Sequence, residues 1–502
     1  EVAALAAAGR IGIEVQRRLV GRMEVMRQRR QPLAKRAHDR LVLDAVLAGA
    51  AAPDPARDFP ARPLRIVVGF SPVGGADVAA RGEWWRGFGD PTLDGLVKQL
   101  HDANQNLRVA EANWRRATAL GRQARAALYP SVGVQAGGTR AQNSGNGPIA
   151  NTVQVAASAD WEADLWGGLR RNAESQEAAA QASDADLANT RLSLEAELAA
   201  DYVALRVADA QSALYAANVA SYEASLRMTR NRLAAGVVTP ADVAQAETQW
   251  LSARAQAVDV EINRAQLEHA IAVLTGHAPA EFSLAVVPMS EPGQLALAVP
   301  AVPGELPSGL LERRPDVAAA ERRAAAANAS IGVARAALFP TLTLSATGGY
   351  KGASASNLFD VAHRFWTLGP ALALTVFDAG ARRAQVDQAE AAYDAAAGTY
   401  RQTVLGALQD VEDALVALRV LDGEAQLQAQ TVRAAGVSLQ LALNQYRAGT
   451  IGYLNVVSAQ TTDQNARLSA LSIRGRQLSA TVQLIKALGG GWSVPPEMAP
   501  AR

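Results

Sequence analysis

Two proline-free stretches of about 70 residues, 168–239 and 379–448, constrain the fold of this 502-residue chain more than any other feature. In the second stretch the apolar residues recur at steps of three and four, which is the period of an α-helix. A helix of nearly 70 residues is about 100 Å long, and no single globular domain encloses it. Such helices must pack side by side as coiled coils. The roughly 110 alanines favour this packing, because alanine is the best helix former and its side chain is small.

The composition excludes several classes of protein. The chain contains no cysteine, so neither disulfides nor thiolate metal ligands are available. Its formal net charge of +1 gives no reason to expect a nucleic-acid partner. The five histidines lack metal-ligand spacing and no Ser/His/Asp constellation stands out, so we predict no cofactor, no metal site and no enzymatic activity. No run of 18 apolar residues occurs, so any membrane-spanning part would consist of strands.

A second constraint is an internal repeat. Four ordered matches at nearly constant spacing predict two copies of one structural unit. We place the copies at 83–305 and 306–492, followed by a tail at 493–502. The landmarks return about 210 residues later: ALYPS at 127–131 as ALFPT at 337–341, DLWGG at 164–168 as FDAGA at 377–381, RLAAGVV at 232–238 as YRAGTIG at 446–452, and LTG at 274–276 as ALG at 487–489.

Each copy begins with a helical stretch, at about 95–128 and 315–338, and continues with strands. The alternation of apolar and polar residues in TLTLSATGGY, 341–350, is the period of a strand with two different faces. The same period predicts strands in SVGVQAGG, in TVQVAASADW and, weakly, in ALALTVF. Turn-forming residues in NSGNGP, 143–148, separate the first pair. Strands of about ten residues with this pattern are typical of strands that span a membrane.

The strands and the long helices together predict an assembly. Four strands cannot close a barrel, and an open sheet edge is not tolerated in lipid, so the chain must oligomerise. Two copies would supply eight strands around a filled interior, whereas three copies would supply twelve strands around a lumen. The pattern therefore predicts a hollow, symmetric, membrane-anchored conduit that is mainly α with β-strands at one end.

Eight segments carry a family resemblance: EWWRGFGDPTLDGLV at 83–97, ARAALYPS at 124–131, DLWGG at 164–168, RPDVAAAERR at 314–323, VARAALFPTLTLSATGG at 333–349, FDAG at 377–380, YRAGTIGYLNV at 446–456 and ALGGGW at 487–492. In these segments the chain resembles the outer-membrane efflux proteins related to TolC and OprM, most closely the NodT type. The resemblance implies a homotrimer with a twelve-stranded barrel in outer-membrane lipid, a periplasmic α-barrel and an equatorial region that includes 276–310. It implies a passive exit duct for drugs or other small molecules, docked to a periplasmic adaptor and an inner-membrane pump of the RND type.

The two repeat glycines, Gly236 and Gly449, lie where each long helix must turn back, and a left-handed residue that ends a helix is one interpretation. The resemblance implies a further one, in which these turns form the periplasmic tip where the adaptor docks and the tube closes. A hydrogen bond between Asp242 and Tyr446 would then latch the closed state. The implied gate residues are Gly236, Asp242, Tyr446, Gly449, Ile451 and Asn455, and the implied adaptor contacts are Val237, Val238, Thr239 and Thr450.

The tip also departs from the related proteins. They carry an arginine two residues after the second glycine and acidic residues further along, where this chain has Ile451, Asn455 and Ser458. Gating would therefore rest on Asp242, Tyr446 and packing rather than on an ionic latch. An alternative for Asp242 is an acidic residue in the first turn of a helix, where it favours the helix dipole.

The first 82 residues differ from the remainder. Residues 1–58 form a basic leader that we predict to be disordered, and residues 59–82 resemble the start of a Bug-family periplasmic solute-binding receptor. The efflux resemblance implies a lipidated cysteine just upstream of the tryptophan pair at 84–85, so we expect that 1–82 is not the natural start. The alternative functions are the outer-membrane component of a type I secretion system, a solute-binding protein and a non-transporting coiled-coil scaffold.

Overall fold

The structure, a computed structural model, describes residues 83–142, 145, 147–287, 295, 297 and 314–490. The first copy contains α1 (Pro91–Ala103), α2 (Gln105–Ala126), β1 (Ser131–Gln142), β2 (Ile149–Ala163), α3 (Gly168–Ala234) and α4 (Pro240–Leu274). The second contains α5 (Pro315–Ala336), β3 (Thr341–Gly352), β4 (Arg364–Ala373), α6 (Ala381–Arg447) and α7 (Tyr453–Ala487). The predicted leader, the receptor-like segment and the tail lie outside the described residues.

The two copies match element by element. Helices α2 and α5 have 22 residues each, α3 and α6 have 67 each, and α4 and α7 have 35 each. The repeat is therefore confirmed at the level of secondary structure, and so are the two uninterrupted helices of nearly 70 residues. No helix in the described part of the chain has the long apolar stretch that crossing a membrane requires.

The first helical stretch, predicted over about 95–128, is divided in two at Asn104. The buried Asn104 side chain accepts the N–H of Leu107 at 3.0 Å and donates to the carbonyl of Leu274 at 2.8 Å. The residue therefore starts α2 and ties this break to the end of α4. The predicted stretch is helical, but it is divided because an asparagine that caps a helix competes with helix continuation.

The fourth strand also differs from its prediction in ALALTVF, 371–377. It occupies Arg364–Ala373 instead, where it pairs with β3 from Tyr350 to Thr341. Since β3 begins at Thr341, whose partner is Ala373, no β3 residue remains to pair with 374–377. Register with a neighbour, rather than local alternation, sets the end of this strand.

The four strands form one antiparallel sheet in the order β1-β2-β3-β4. Because facing residues point to the same side of a sheet, the pairing aligns the apolar side chains of all four strands on one face. The opposite face is polar, and there Ser345 donates to Asp160 at 2.8 Å. The apolar face carries Val132, Val134, Ala136, Val153, Val155, Ala157, Ala159, Trp161, Leu342, Leu344, Ala346, Trp366, Leu368 and Leu372.

An aspartate and an arginine connect each strand pair to its long helix. Burial raises the pKa of Asp164, but hydrogen bonds from the backbone and side chain of Arg170 outweigh it and hold that pKa below its ordinary value. The side-chain hydrogen bond of Arg382 likewise lowers the pKa of Asp378. The DLWGG and FDAG landmarks are thus equivalent junctions that start the helices.

Trp84, Trp85 and helix α1 pack against the middle of α3 in one hydrophobic cluster. Within it, the buried Glu195 carboxylate accepts hydrogen bonds from Trp84 Nε1 at 3.2 Å and from Arg191 Nε at 3.0 Å, and it lies 2.6 Å from His101 Nε2. A buried carboxylate is costly unless such donors surround it. These contacts fix residues 84–103 on the long helix.

Candidate functional site at the helix turns

Both long helices end in the same turn. Gly236 has φ of 73° and Gly449 has φ of 77°, which is the left-handed region that glycine occupies without a Cβ penalty. The N–H after each glycine donates to the carbonyl five residues earlier, at 2.9 Å and 3.0 Å. This is the Schellman motif, and the helix-ending role predicted for both glycines is confirmed.

The first turn leads into a capped helix. Thr239 is the N-cap of α4, and the Asp242 carboxylate accepts the Thr239 N–H at 2.9 Å and its hydroxyl at 2.8 Å. The Asp242 N–H donates back to the Thr239 hydroxyl oxygen, so the pair forms a capping box. The second turn has Gly452 at the equivalent place, without a side-chain cap, and Asn455 is exposed.

Tyr446 is buried among helices at the base of the second turn. Its hydroxyl lies 3.3 Å from Thr229 Oγ1, and the Arg232 guanidinium lies 4.5 Å from its ring centroid. Arg232 also donates to the Tyr446 carbonyl. The predicted hydrogen bond between Asp242 and Tyr446 is therefore not formed in this structure, because the Asp242 carboxylate accepts hydrogen bonds from Thr239 and the Tyr446 hydroxyl faces Thr229 of α3.

The two turns share one apolar core. Tyr446 and Tyr453 lie with ring centroids 5.6 Å apart, and both pack with Leu226 of α3 and Ala246 of α4. Ile451 is half-buried against the same cluster. Burial, followed by the neighbouring Tyr446, raises the pKa of Tyr453 to about 12. The turn of one repeat therefore cannot move without disturbing the turn of the other.

Several exposed side chains of the turns carry no charge. Val237 is 60% exposed and Leu454 is 70% exposed, whereas Val238 is half-buried. Thr239 and Thr450 are exposed beside them. This surface can bind an apolar partner surface, and the predicted adaptor-contact role of these residues stays a prediction.

Sequence reasoning missed three contributors to this site. Arg232 lies in the RLAAGVV landmark, but nothing in its spacing indicates a contact with a residue more than 200 positions later. Tyr453 and Thr229 were likewise not singled out. The one available signal was the apolar spacing at Tyr453, Val456 and Val457, which marks the buried side of α7.

The family model for outer membrane efflux proteins matches residues 96–277 and 306–490. A sheet that is apolar on one face, joined to long paired helices, together with this match defines an outer-membrane channel protein. The chain belongs to the outer membrane efflux protein family. It is located in the outer membrane, and its helices extend into the periplasm.

Individual relatives agree with this assignment. The chain is 34% identical over 432 residues to the probable efflux pump outer membrane protein TtgC of Pseudomonas putida, with 84% of this chain and 88% of the relative covered. It is 32% identical over 431 residues to the pyoverdine export outer membrane protein OpmQ of Pseudomonas aeruginosa, with 84% and 90% covered.

Solved structures show the same fold. The outer-membrane channel OprN matches with a TM-score of 0.77 and 32% identity, covering 83% of this chain and 94% of that chain. The outer membrane protein VceC from Vibrio cholerae matches with a TM-score of 0.75 and 26% identity, covering 83% and 99%. The predicted TolC-like fold and the family resemblance are both confirmed.

Proposed function

We propose that three copies of the chain assemble into a passive exit duct of a tripartite efflux system. The observation that carries the proposal is the sheet, which has a continuous apolar face but leaves one edge of β1 and one edge of β4 without a partner within the described chain. Such edges are not tolerated in lipid. Pairing β4 of each copy with β1 of the next closes twelve strands around a lumen lined by the polar face.

The helices support the same assembly. On α4 the exposed side chains Leu251, Val258 and Ile262 recur at steps of seven and four. On α6 the exposed Val416, Val420 and Leu427 follow steps of four and seven, and the exposed Val437 and Leu441 are again four apart. Exposed stripes with a/d spacing are typical of helices that pack against a partner helix. Packing these stripes between copies would continue the tube below the sheet.

The energy for transport would come from the pump, since a channel of this kind only provides a path. The relatives are named for efflux pumps, for toluene efflux and for pyoverdine export. We infer that this chain passes comparable small molecules, supplied by an RND pump through a periplasmic adaptor bound at the helix turns. The exposed, uncharged side chains there fit an apolar adaptor surface.

Two measurements test the proposal. The protein purified in detergent is expected to have the mass of three chains and to conduct ions across a planar bilayer. Expression in a Gram-negative strain that lacks its own outer-membrane efflux component, together with the cognate adaptor and pump, is expected to restore resistance to pump substrates. A monomer that stays in solution without detergent would disprove the duct.

A further inference from the structure

The apolar face of the sheet carries two charged residues within the described strands, and both are arginines. Arg140 lies on β1 and Arg364 on β4, on the same face as Val155 and Leu368. The acidic residues of β2, Asp160 and Glu162, point to the opposite face. Within the described chain, neither guanidinium has a hydrogen-bond or ion-pair partner, and both side chains are exposed.

Both arginines lie at the end of the sheet that is remote from the helices. Each strand pair starts and finishes at its helices, so Arg140 approaches the turn after β1 and Arg364 follows the connection before β4. Since the helices extend into the periplasm, this end of the sheet meets the external leaflet. Both arginines therefore lie on the external side of the membrane.

Arg140 lies at the edge of the hydrocarbon layer and Arg364 lies just inside it. On β2 the apolar face is continuous from Ala163 to Val153, which is about 33 Å along a strand and about 25 Å along the membrane normal at a tilt of about 40°. Arg140 pairs with Asn151, the next residue on this face, whereas Arg364 pairs with Tyr350, whose other partner Val155 lies two residues inside the end of the apolar stretch, within reach of the edge for a long arginine side chain. An arginine in mid-membrane is costly, whereas at this level it reaches the lipid headgroups.

An aromatic pair lies at the level of Arg364. Tyr350, the strand partner of Arg364, lies in an edge-to-face contact with Phe359, with ring centroids 5.3 Å apart, and Trp366, which is 77% exposed, lies deeper in the sheet, opposite Gly348. Tyrosine and tryptophan collect at membrane–water interfaces, where one part of the ring system is apolar and the other polar. The arginines thus belong to a basic and aromatic belt that lies at the external interface.

We propose that Arg140 and Arg364 bind the phosphates of the phosphorylated glycolipid of the external leaflet. This rests on the trimer of the proposed function, in which β4 of one copy lies beside β1 of the next, so that Arg364 and the neighbouring copy's Arg140 flank one seam. Two arginines on adjacent strands complement a lipid A headgroup with two phosphates, and guanidinium groups bind phosphate through paired hydrogen bonds. Three such seams provide three sites for each assembly.

The test uses the full-length trimer in detergent, titrated with bisphosphorylated lipid A, monophosphorylated lipid A or phosphatidylglycerol and analysed by native mass spectrometry. Wild-type protein is expected to bind up to three molecules of bisphosphorylated lipid A, at least fivefold more tightly than the other two lipids. Arg140→Gln and Arg364→Gln are each expected to weaken this binding about fivefold, and the two together about 25-fold.

Matched variants make the test specific. Lys351→Gln removes one positive charge next to Tyr350 on the opposite face and is expected to change binding less than twofold. Arg140→Lys with Arg364→Lys retains the charge but not the paired guanidinium hydrogen bonds, so it is expected to weaken binding less than the double glutamine variant does. Equal binding by wild type and the double glutamine variant would overturn the proposal, as would equal affinity for phosphatidylglycerol. A sample that is monomeric before lipid is added would instead count against the trimer.

Discussion

At the scale of single residues, we predict that the same substitution by alanine has opposite effects on stability at a left-handed glycine and at a glycine inside a helix. An added Cβ at Gly236 meets no atom within 4 Å, so Gly236→Ala tests the backbone conformation alone. We expect a loss of about 1 kcal/mol in unfolding free energy. Gly423, inside α6, also has open space around it, and Gly423→Ala is expected to gain about 0.5–1 kcal/mol. Denaturant unfolding measures the change in unfolding free energy for each variant. The prediction is contradicted if both variants are destabilised or both are stabilised.

Asp201 predicts a dependence of stability on pH. Burial on α3, with a smaller contribution from Glu197, raises its pKa from 3.8 to about 6. A carboxyl whose folded pKa is raised favours the fold when protonated, so its stabilisation is present below about pH 4 and is lost as the pH rises to about 6. Asp201→Asn is therefore expected to raise stability at pH 8 by about 1 kcal/mol, allowing for partial exposure, and to have little effect at pH 4.

Thermal unfolding at the two pH values checks this prediction, with Glu197→Gln as the companion variant. Removing the neighbouring charge eases the ionisation of Asp201, so Glu197→Gln is expected to stabilise the protein at pH 8 by a smaller amount. The prediction fails if Asp201→Asn is equally stabilising at both pH values.

At the scale of elements, the capping box and the buried tyrosine are two separable supports of the helix turns. Asp242→Ala removes the carboxylate that closes the cap, at a cost of about 1 kcal/mol. Tyr446→Phe removes the contact with Thr229. We expect the double variant to raise the conductance of the closed channel in planar bilayers, because both turns rest on one shared core.

A control variant distinguishes a latch from a cap. Thr239→Ala keeps the Asp242 carboxylate but removes the hydroxyl that binds it. If Asp242 acts only through the cap, Thr239→Ala raises conductance as much as Asp242→Ala does. If Asp242 reaches Tyr446 in another state of the channel, Thr239→Ala has the smaller effect. Unchanged conductance in the double variant would exclude both roles.

The elements themselves follow largely from local sequence. The absence of proline predicted both α3 and α6, apolar periodicity supported α6, and the repeat glycines predicted where each of them ends, because these signals act within a few residues. The break at Asn104 and the bounds of β4 did not follow. The first depends on a contact with Leu274, and the second depends on register with β3. Both are tertiary interactions that override local pattern.

At the scale of the whole molecule, the sequence indicated which strand faces are apolar but not how the strands align. β2 and β3 are separated by the whole of α3, α4 and α5, and only their pairing shows that the apolar side chains of all four strands share one face. The contact of Arg232 with Tyr446 is likewise long-range, since it joins turns from different repeats. Such long-range contacts cannot be read from spacing along the chain.

The assembly makes the last prediction, and the absence of cysteine in the sequence makes it simple to test. Val134 on β1 and Leu368 on β4 are exposed and lie on the same face of the two edge strands. If β4 of one copy adjoins β1 of the next, Val134→Cys with Leu368→Cys and a flexible bis-maleimide yields covalent dimers and trimers but no larger species. The control Ala157→Cys with Gly348→Cys places both thiols on paired central strands, where cross-links stay within one chain. Denaturing electrophoresis measures the size of the cross-linked species in both variants. If the edge-strand variant gives dimers but no trimers, a closed ring of three copies is contradicted.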